Sequence, residues 1–363
     1  MPRDRSNSVK YVPSPHDRQY KSAPPRARVA AVPPPRSSRT GIKLLGVIFI
    51  PMLSFFLYQD GGSLLKRFAA PPPAEQKNLV ENPLNDAEWQ GMAASLDTLA
   101  RGYRGRVGIY IKDLNSGKVW EYNPDRLFTA ASLIKLPIMV SICEKIKSGG
   151  LSLDTQLKLT THDRAGGSGS LKWVRTGTSL SVMEIIYKMI TESDNTATKM
   201  LLDYAGFDYF QRTFTSLGLV QTTIHPEGMS LVSGHVAKEN YTTAREMAGL
   251  MEKIYRGELV DKTASEFMLE VLKHNKSTSR LRKGLPLGWE LGHKTGLLRH
   301  SCHDVGVVFS PRGDYVIAVL TGDVPDYSSA KEFITRVAAQ TYRCYRTDSD
   351  FASAASARGP KSM

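Results

Sequence analysis

At 363 residues, 41% hydrophobic and 23% charged, the chain has a folded protein's composition and room for one large domain or two ordinary ones. The net charge of +13 is uneven: residues 1–43 hold ten Lys or Arg against two Asp or Glu, so only +5 is left for the other 320 residues. The three cysteines, Cys143, Cys302 and Cys344, exclude full internal pairing and have no zinc-site spacing.

Residues 1–41 form a basic, proline-rich segment to which no fold is assigned. Without aromatic interleaving or a recognisable fold motif, it is not read as a nucleic-acid binder. Residues 42–58 are apolar apart from Lys43 and Ser54, with Leu44 to Tyr58 running as LLGVIFIPMLSFFLY. This stretch makes roughly 25 Å of helix, the short end of a membrane span. An uncleaved signal anchor and the core of a cleavable signal peptide compete, and the long basic region before it favours the anchor. Either way the basic side is expected in the cytoplasm and the rest of the chain outside it, membrane-tethered and monomeric. Residues 59–85 read as a linker containing Pro71-Pro72-Pro73.

From Asp86 the pattern becomes helical, with Trp89, Met92, Leu96, Leu99 and Tyr103 at steps of three and four. Alternation over Arg106 to Leu114, the turn Asn115-Ser116-Gly117 and the run Lys118 to Tyr122 predict a hairpin. Helices are predicted over Ser132–Lys147, Ser181–Glu192, Thr196–Tyr204, Asp208–Leu217, Thr243–Tyr255 and Ala264–His274, with Thr243 and Glu246 spaced as a capping box. Strands return at Glu290–Leu297, Asp304–Phe309 and Tyr315–Thr321, the last two joined by Pro311-Arg312-Gly313. A final helix over Ser328–Tyr345 precedes an aperiodic tail, 347–363. Strands at both ends of residues 86–346 must share one sheet, because the helices between them need a partner layer. The expected fold is α/β of the α+β type: an antiparallel sheet flanked by the terminal helices, with an all-helical subdomain inserted.

Three short motifs carry the chemistry. Ser132-Leu133-Ile134-Lys135 is followed 61 residues on by Ser193-Asp194-Asn195, and 101 residues later by Lys294-Thr295-Gly296. A serine and a lysine three apart share a helix face. Burial and the helix N-terminus both disfavour charge on that lysine, so it either accepts the serine proton or stays charged and only stabilises. A second Ser-x-x-Lys, Ser328-Ser329-Ala330-Lys331, reads as a solvated helix face. Ser193 or Asp194 could instead serve as an ordinary helix cap. Gly296 suits a strand that something approaches closely, and Lys294 with Thr295 suits an anionic carboxylate.

In this order the motifs resemble the class A β-lactamases and penicillin-binding proteins, over about residues 86–346. The resemblance implies a serine β-lactamase-like fold, an acyl-enzyme on Ser132, proton transfer by Lys135 and Ser193, and substrate contacts from Asn195, Lys294, Thr295 and Gly296. It also implies an oxyanion hole from the N–H groups of Ser132 and Leu297. Gly166-Gly167-Ser168-Gly169-Ser170 resembles the loop at the edge of that cleft. No metal or organic cofactor is implied, and the expected partner is a small β-lactam or a peptidoglycan peptide.

The resemblance thins in two places. The family's deacylating glutamate sits in a Glu-x-x-Leu-Asn pattern, which the stretch Thr222 to Asn240 lacks; Glu227 is the nearest candidate and Glu239 a poorer one. Arg299 stands where relatives often place an arginine for the substrate carboxylate, but its direction is not fixed by sequence. The expected activity is β-lactam hydrolysis. A D,D-peptidase acting on D-alanyl peptides is the first alternative, and an envelope binding protein with weak turnover the second.

Overall fold

The computed structural model describes residues 82–231, 234–324 and 326–347. The basic segment, the expected span 42–58, most of the linker and residues 348–363 lie outside the described residues. Among the described residues no helix is long and apolar enough to cross a membrane.

Helix α1 (Asp86–Arg101) begins at a reciprocal cap: Asn85 accepts from Glu88 N, and the Glu88 carboxylate accepts from Asn85 N. Strands β1 (Arg106–Asp113) and β2 (Val119–Tyr122) form the predicted hairpin, closed by Asp113 Oδ1 accepting from the N–H groups of Asn115 and Ser116. The chain then runs through β3 (Phe128–Thr129), a 3-10 turn (Ala131–Ile134) and α2 (Lys135–Lys147). Next come β4 (Gln156–Lys158), β5 (Ser179–Ser181), α3 (Val182–Thr191), α4 (Asn195–Ala205) and α5 (Phe207–Ser216). After β6 (Tyr241–Thr242) follow α6 (Ala244–Tyr255), α7 (Lys262–Lys273) and the single turn α8 (Leu281–Gly284). Strands β7 (Leu291–Leu298), β8 (Ser301–Val308) and β9 (Tyr315–Gly322) lead to α9 (Tyr327–Tyr345).

The main sheet is antiparallel in the order β2-β1-β9-β8-β7. Early and late strands therefore meet as expected, with Ile109 opposite Val319. Strand β9 is buried along its whole length because both faces are covered. Its Tyr315, Ile317 and Val319 join Trp89, Met92 and Leu96 of α1 and Phe333 and Ile334 of α9 in one core. Val316, Ala318 and Leu320 point the other way, into the core of α2, α3 and α6. Each large apolar side chain buried this way contributes about 1.5–3 kcal/mol.

Two small ribbons, β3–β6 and β4–β5, add to the predicted elements. Their strands of two or three residues are too short to show alternation in the sequence. The expected helix from Ser132 is corrected: Ser132 lies in the 3-10 turn, and the α-helix starts at Lys135. Pro137 thus falls in the first turn of α2, where its missing N–H has no intrahelical partner to lose. The capping box at Thr243 is half formed. Thr243 accepts from Glu246 N, but the Glu246 carboxylate turns to the N–H groups of Val220 and Gln221. All three cysteines are free, Cys143 and Cys302 buried and Cys344 half-buried. In the second Ser-x-x-Lys, Ser329 N is taken by the helix cap Asp326 and the serine is exposed.

Candidate active site

The site forms where the 3-10 turn, the start of α4 and strand β7 converge. A 3-10 turn has three residues per turn, so Ser132 and Lys135 eclipse one another on one side. Ala131, just before the serine, has φ +48°, a left-handed conformation unfavourable for a residue with a Cβ. Ser193 is likewise left-handed, at φ +53°. Such conformations persist where the surrounding structure fixes them.

The Ser193-Asp194-Asn195 motif divides its work. Asp194 is fully buried and structural: it caps α4 by accepting from Ala197 N at 2.9 Å and also accepts from Leu171 N at 2.7 Å. Ser193 and Asn195 are thereby left to face Lys135. The Lys135 ammonium donates to Ser193 O at 2.6 Å, Asn195 Oδ1 at 2.7 Å and Ser193 Oγ at 3.3 Å. Lys294 reaches the same Ser193 Oγ at 3.0 Å, and its own neighbour's carbonyl, Thr295 O, at 2.9 Å. The glycine loop braces the motif: Ser168 Oγ donates to Ser193 O at 2.8 Å, and Asn195 Nδ2 donates to Gly166 O at 2.8 Å. Gly169 has φ +103°, and a Cβ there would lie 2.1 Å from Asp194 Cγ.

Both lysines are buried, and both are pushed toward neutrality. Burial holds Lys135 well below the usual lysine range, and the charge of Lys294 adds to this, against Asp194. Burial likewise brings Lys294 down to about 7, helped by Arg280 and opposed by Asp304. Arg280 is a member of the site with no signal in the sequence. It is 6% exposed, holds φ +58°, and donates to His303 O at 3.2 Å. Its Nε is buried without a partner among the described residues. A lone arginine 14 residues before Lys294 carries no motif, and only its burial beside that lysine marks it as part of an anion-attracting corner. His293 pairs with Asp304 at 2.8 Å beneath the strand, and His303 Nε2 meets Thr129 O at 2.8 Å.

Gly296 also has a packing use. A Cβ there would lie 3.1 Å from His303 Cδ2 and 3.3 Å from Ala131 Cβ. The glycine lets β7 press against the turn that carries Ser132. Leu297 and Ser132 both line the resulting cleft of about 410 Å³, with Lys135, Asn195, Gly167 and Ser168. Thr295 is half-buried on the same strand. A larger cavity, about 640 Å³ between α1 and α9, contains none of these residues and belongs to the far side of the sheet.

Two expected residues are not brought into the cleft. Glu227 opens a short 3-10 turn and is exposed, while its neighbours Gly228 and Met229 line the cleft instead. Arg299 turns away: it donates to Ser230 O and pairs with Glu239 at 3.2 Å, so it straps the 226–240 loop to the β7–β8 turn. Each is engaged by the other, and neither lines the cleft. Among the described residues, no carboxylate lines the cleft. Nor do any three of their His, Cys, Asp or Glu side chains gather as a metal would require.

A half-buried serine, a buried lysine pushed toward neutrality beside it, and a cationic corner opposite define a serine hydrolase. Residues 91–345 match the profile of the beta-lactamase enzyme family, and the chain belongs to that family. It is 24% identical over 276 residues to beta-lactamase VEB-1 of Pseudomonas aeruginosa, spanning 72% of this chain and 92% of that one. The structure is similar to that of a point mutant of PBP-A, solved as an acyl-enzyme complex with penicillin G, at TM-score 0.65 and 28% identity over 70% of this chain and 96% of that one. It is equally similar to a beta-lactamase from Sphaerobacter thermophilus, at TM-score 0.65 and 28% identity over 72% of this chain and 97% of that one.

Proposed function

We propose that the protein opens β-lactams through an acyl-enzyme on Ser132. The observation that carries this is the convergence of Lys135 and Lys294 on Ser193 Oγ. Lys135, pushed toward its neutral form by burial, takes the Ser132 proton as Oγ attacks the lactam carbonyl. A hydroxyl has two acceptor positions and one proton. With both acceptor positions of Ser193 facing lysines, its proton is the part left to give: the leaving nitrogen receives it, and the proton that Lys135 took from Ser132 replaces it on Ser193 Oγ. Lys294, Thr295 and Arg280 attract the substrate carboxylate, and Asn195 binds the amide on the acyl side. The N–H groups of Ser132 and Leu297 stabilise the oxyanion.

The carboxylate-free cleft favours a second reading for turnover. Hydrolysis of the ester requires an activated water, and Glu227 is poorly placed to provide one. A long-lived penicilloyl adduct follows, as for an enzyme whose own substrate is a D-alanyl peptide of peptidoglycan. We read residues 42–58 as the anchor that presents this domain, as a monomer, outside the cytoplasm.

The test is intact-mass spectrometry of the protein with benzylpenicillin over time, with Ser132→Ala as control. An adduct that decays as penicilloate accumulates supports the β-lactamase reading. A persistent adduct supports the peptidase reading. No adduct on folded protein overturns both.

A further inference from the structure

The cavity of about 640 Å³ between α1 and α9 shares no residue with the catalytic cleft. Its size falls within the roughly 300–1,000 Å³ of small-molecule sites. Three arginines line it: Arg104, just after α1, and Arg336 and Arg343 on α9. Among the described residues Arg104 and Arg336 have no ion-pair or hydrogen-bond partner, and Arg343 reaches only Gln340 Oε1, at 3.3 Å.

The other polar groups of the lining are already engaged. Asp326 caps α9 by accepting from Ser329 N at 2.7 Å, and Glu332 pairs with Lys283 at 3.4 Å. Past Glu332 the α9 wall carries no acid. Ser95 and Thr98 have given their hydroxyl protons to Gly91 O and Ala94 O, one turn back in α1. The guanidinium N–H groups are therefore the chief donors left to a ligand, and they call for an anion.

Their spacing sets its shape. Arg336 and Arg343 lie two turns apart on one face of α9, about 10 Å along the axis. A single small anion cannot bridge that distance. The surface around them is apolar, from Leu99, Ala339 and Phe333, whose ring centroid lies 4.2 Å from that of Tyr103.

We propose that this cavity binds an elongated bisphosphate, with two phosphate groups roughly 10 Å apart on an apolar or sugar-like middle. Each phosphate takes two parallel hydrogen bonds from the planar fork of one arginine, and Arg104 adds its charge from the opposite wall. A dicarboxylate fits less well, because its two charges leave one of the three guanidinium groups unanswered.

The test is isothermal titration calorimetry of the full chain in a neutral detergent at fixed ionic strength. The probes are hexane-1,6-diyl bisphosphate, inorganic phosphate and the dicarboxylate suberate. The bisphosphate is expected to bind at least about tenfold more tightly than either, because its second group binds intramolecularly. Arg336→Gln and Arg343→Gln should each weaken it about tenfold, the loss of one charged hydrogen-bonded pair. Both replace exposed side chains, so an unchanged Tm confirms that the variants are folded. Arg101→Gln, exposed on α1 outside the cavity, should alter binding by less than about twofold. A bisphosphate that binds no better than inorganic phosphate overturns the paired site. Equal losses in all three variants overturn it in favour of unspecific charge attraction, and suberate binding as tightly overturns the preference for phosphate.

Discussion

Lys135 and Lys294 reach the same atom, Ser193 Oγ, at 3.3 and 3.0 Å, from a helix start and a strand on different parts of the fold. Two buried ammonium groups sharing one hydroxyl cannot both hold a proton easily, and the charge of Lys294 makes Lys135 easier to discharge.

The pH profile of acylation should therefore be bell-shaped. The acid limb reflects discharge of Lys135 and the alkaline limb loss of the charge on Lys294, whose value is about 7. Above that pH, kcat/KM or the acylation constant for a carboxylate-bearing donor should fall roughly tenfold per pH unit. Lys294→Arg should lift the alkaline limb and keep the acid one; a wild-type profile flat from about pH 6 to 9 would refute the assignment. Stability has the opposite sign. A lysine whose folded value lies below its unfolded value leaves the unfolded state holding the extra proton between the two, so stability rises with pH across that window. Lys294→Met should stabilise most below about pH 7, with the gain shrinking toward about pH 10, as read by urea unfolding.

Gly169→Ala should unfold the centre of the site. Its φ of +103° and the 2.1 Å approach to Asp194 leave no room for a methyl group. The cost should be about 3 kcal/mol or more, seen as a Tm drop on the order of 6–10 °C for a domain of this size. An unchanged Tm would mean that Asp194 is free to move.

Arg299→Gln separates a strap from a substrate ligand. The strap holds the 226–240 loop through Ser230 and Glu239. Limited proteolysis within that loop should accelerate by about tenfold as local opening becomes easier. The apparent affinity for β-lactams should change by less than about threefold, since a ligand arginine would cost far more. A large loss of affinity with unaltered proteolysis would return Arg299 to the substrate.

Where the wild-type penicilloyl adduct persists, Met229→Glu should speed its hydrolysis. The side chain lines the cleft with Ser132 and Lys135, and a carboxylate there supplies a base for water. Release of a penicilloyl adduct should quicken by about 100-fold, the lower end of general-base effects. Unchanged decay of the adduct would show that water, not its activation, is what the cleft lacks.

Ser132, Lys135 and the other two motifs are legible in the sequence because each is a local string whose order alone restricts the chemistry. The sheet is legible because β1 alternates at one end of the domain, and β9 is a long apolar run paired across a turn with β8 at the other. Arg280, the turn of Arg299 and the outward aim of Glu227 are not, since each depends on where a distant segment lies. The reason for Gly296 is hidden for the same cause: its neighbour Ala131 is 165 positions away in sequence and in contact through space.

Arg312, read from sequence as part of a turn, also binds both edges of the described domain. Its guanidinium donates to Asn82 O at 2.9 Å, to both Glu88 oxygens at 2.9 and 2.8 Å, and to Cys344 O at 2.8 Å. The two edges are thus one guanidinium apart, and the catalytic body is close to a ring in connectivity. Joining residue 347 to residue 82 with a short flexible linker and opening the chain at the exposed Gly149-Gly150 turn should yield a permuted protein with the same active site.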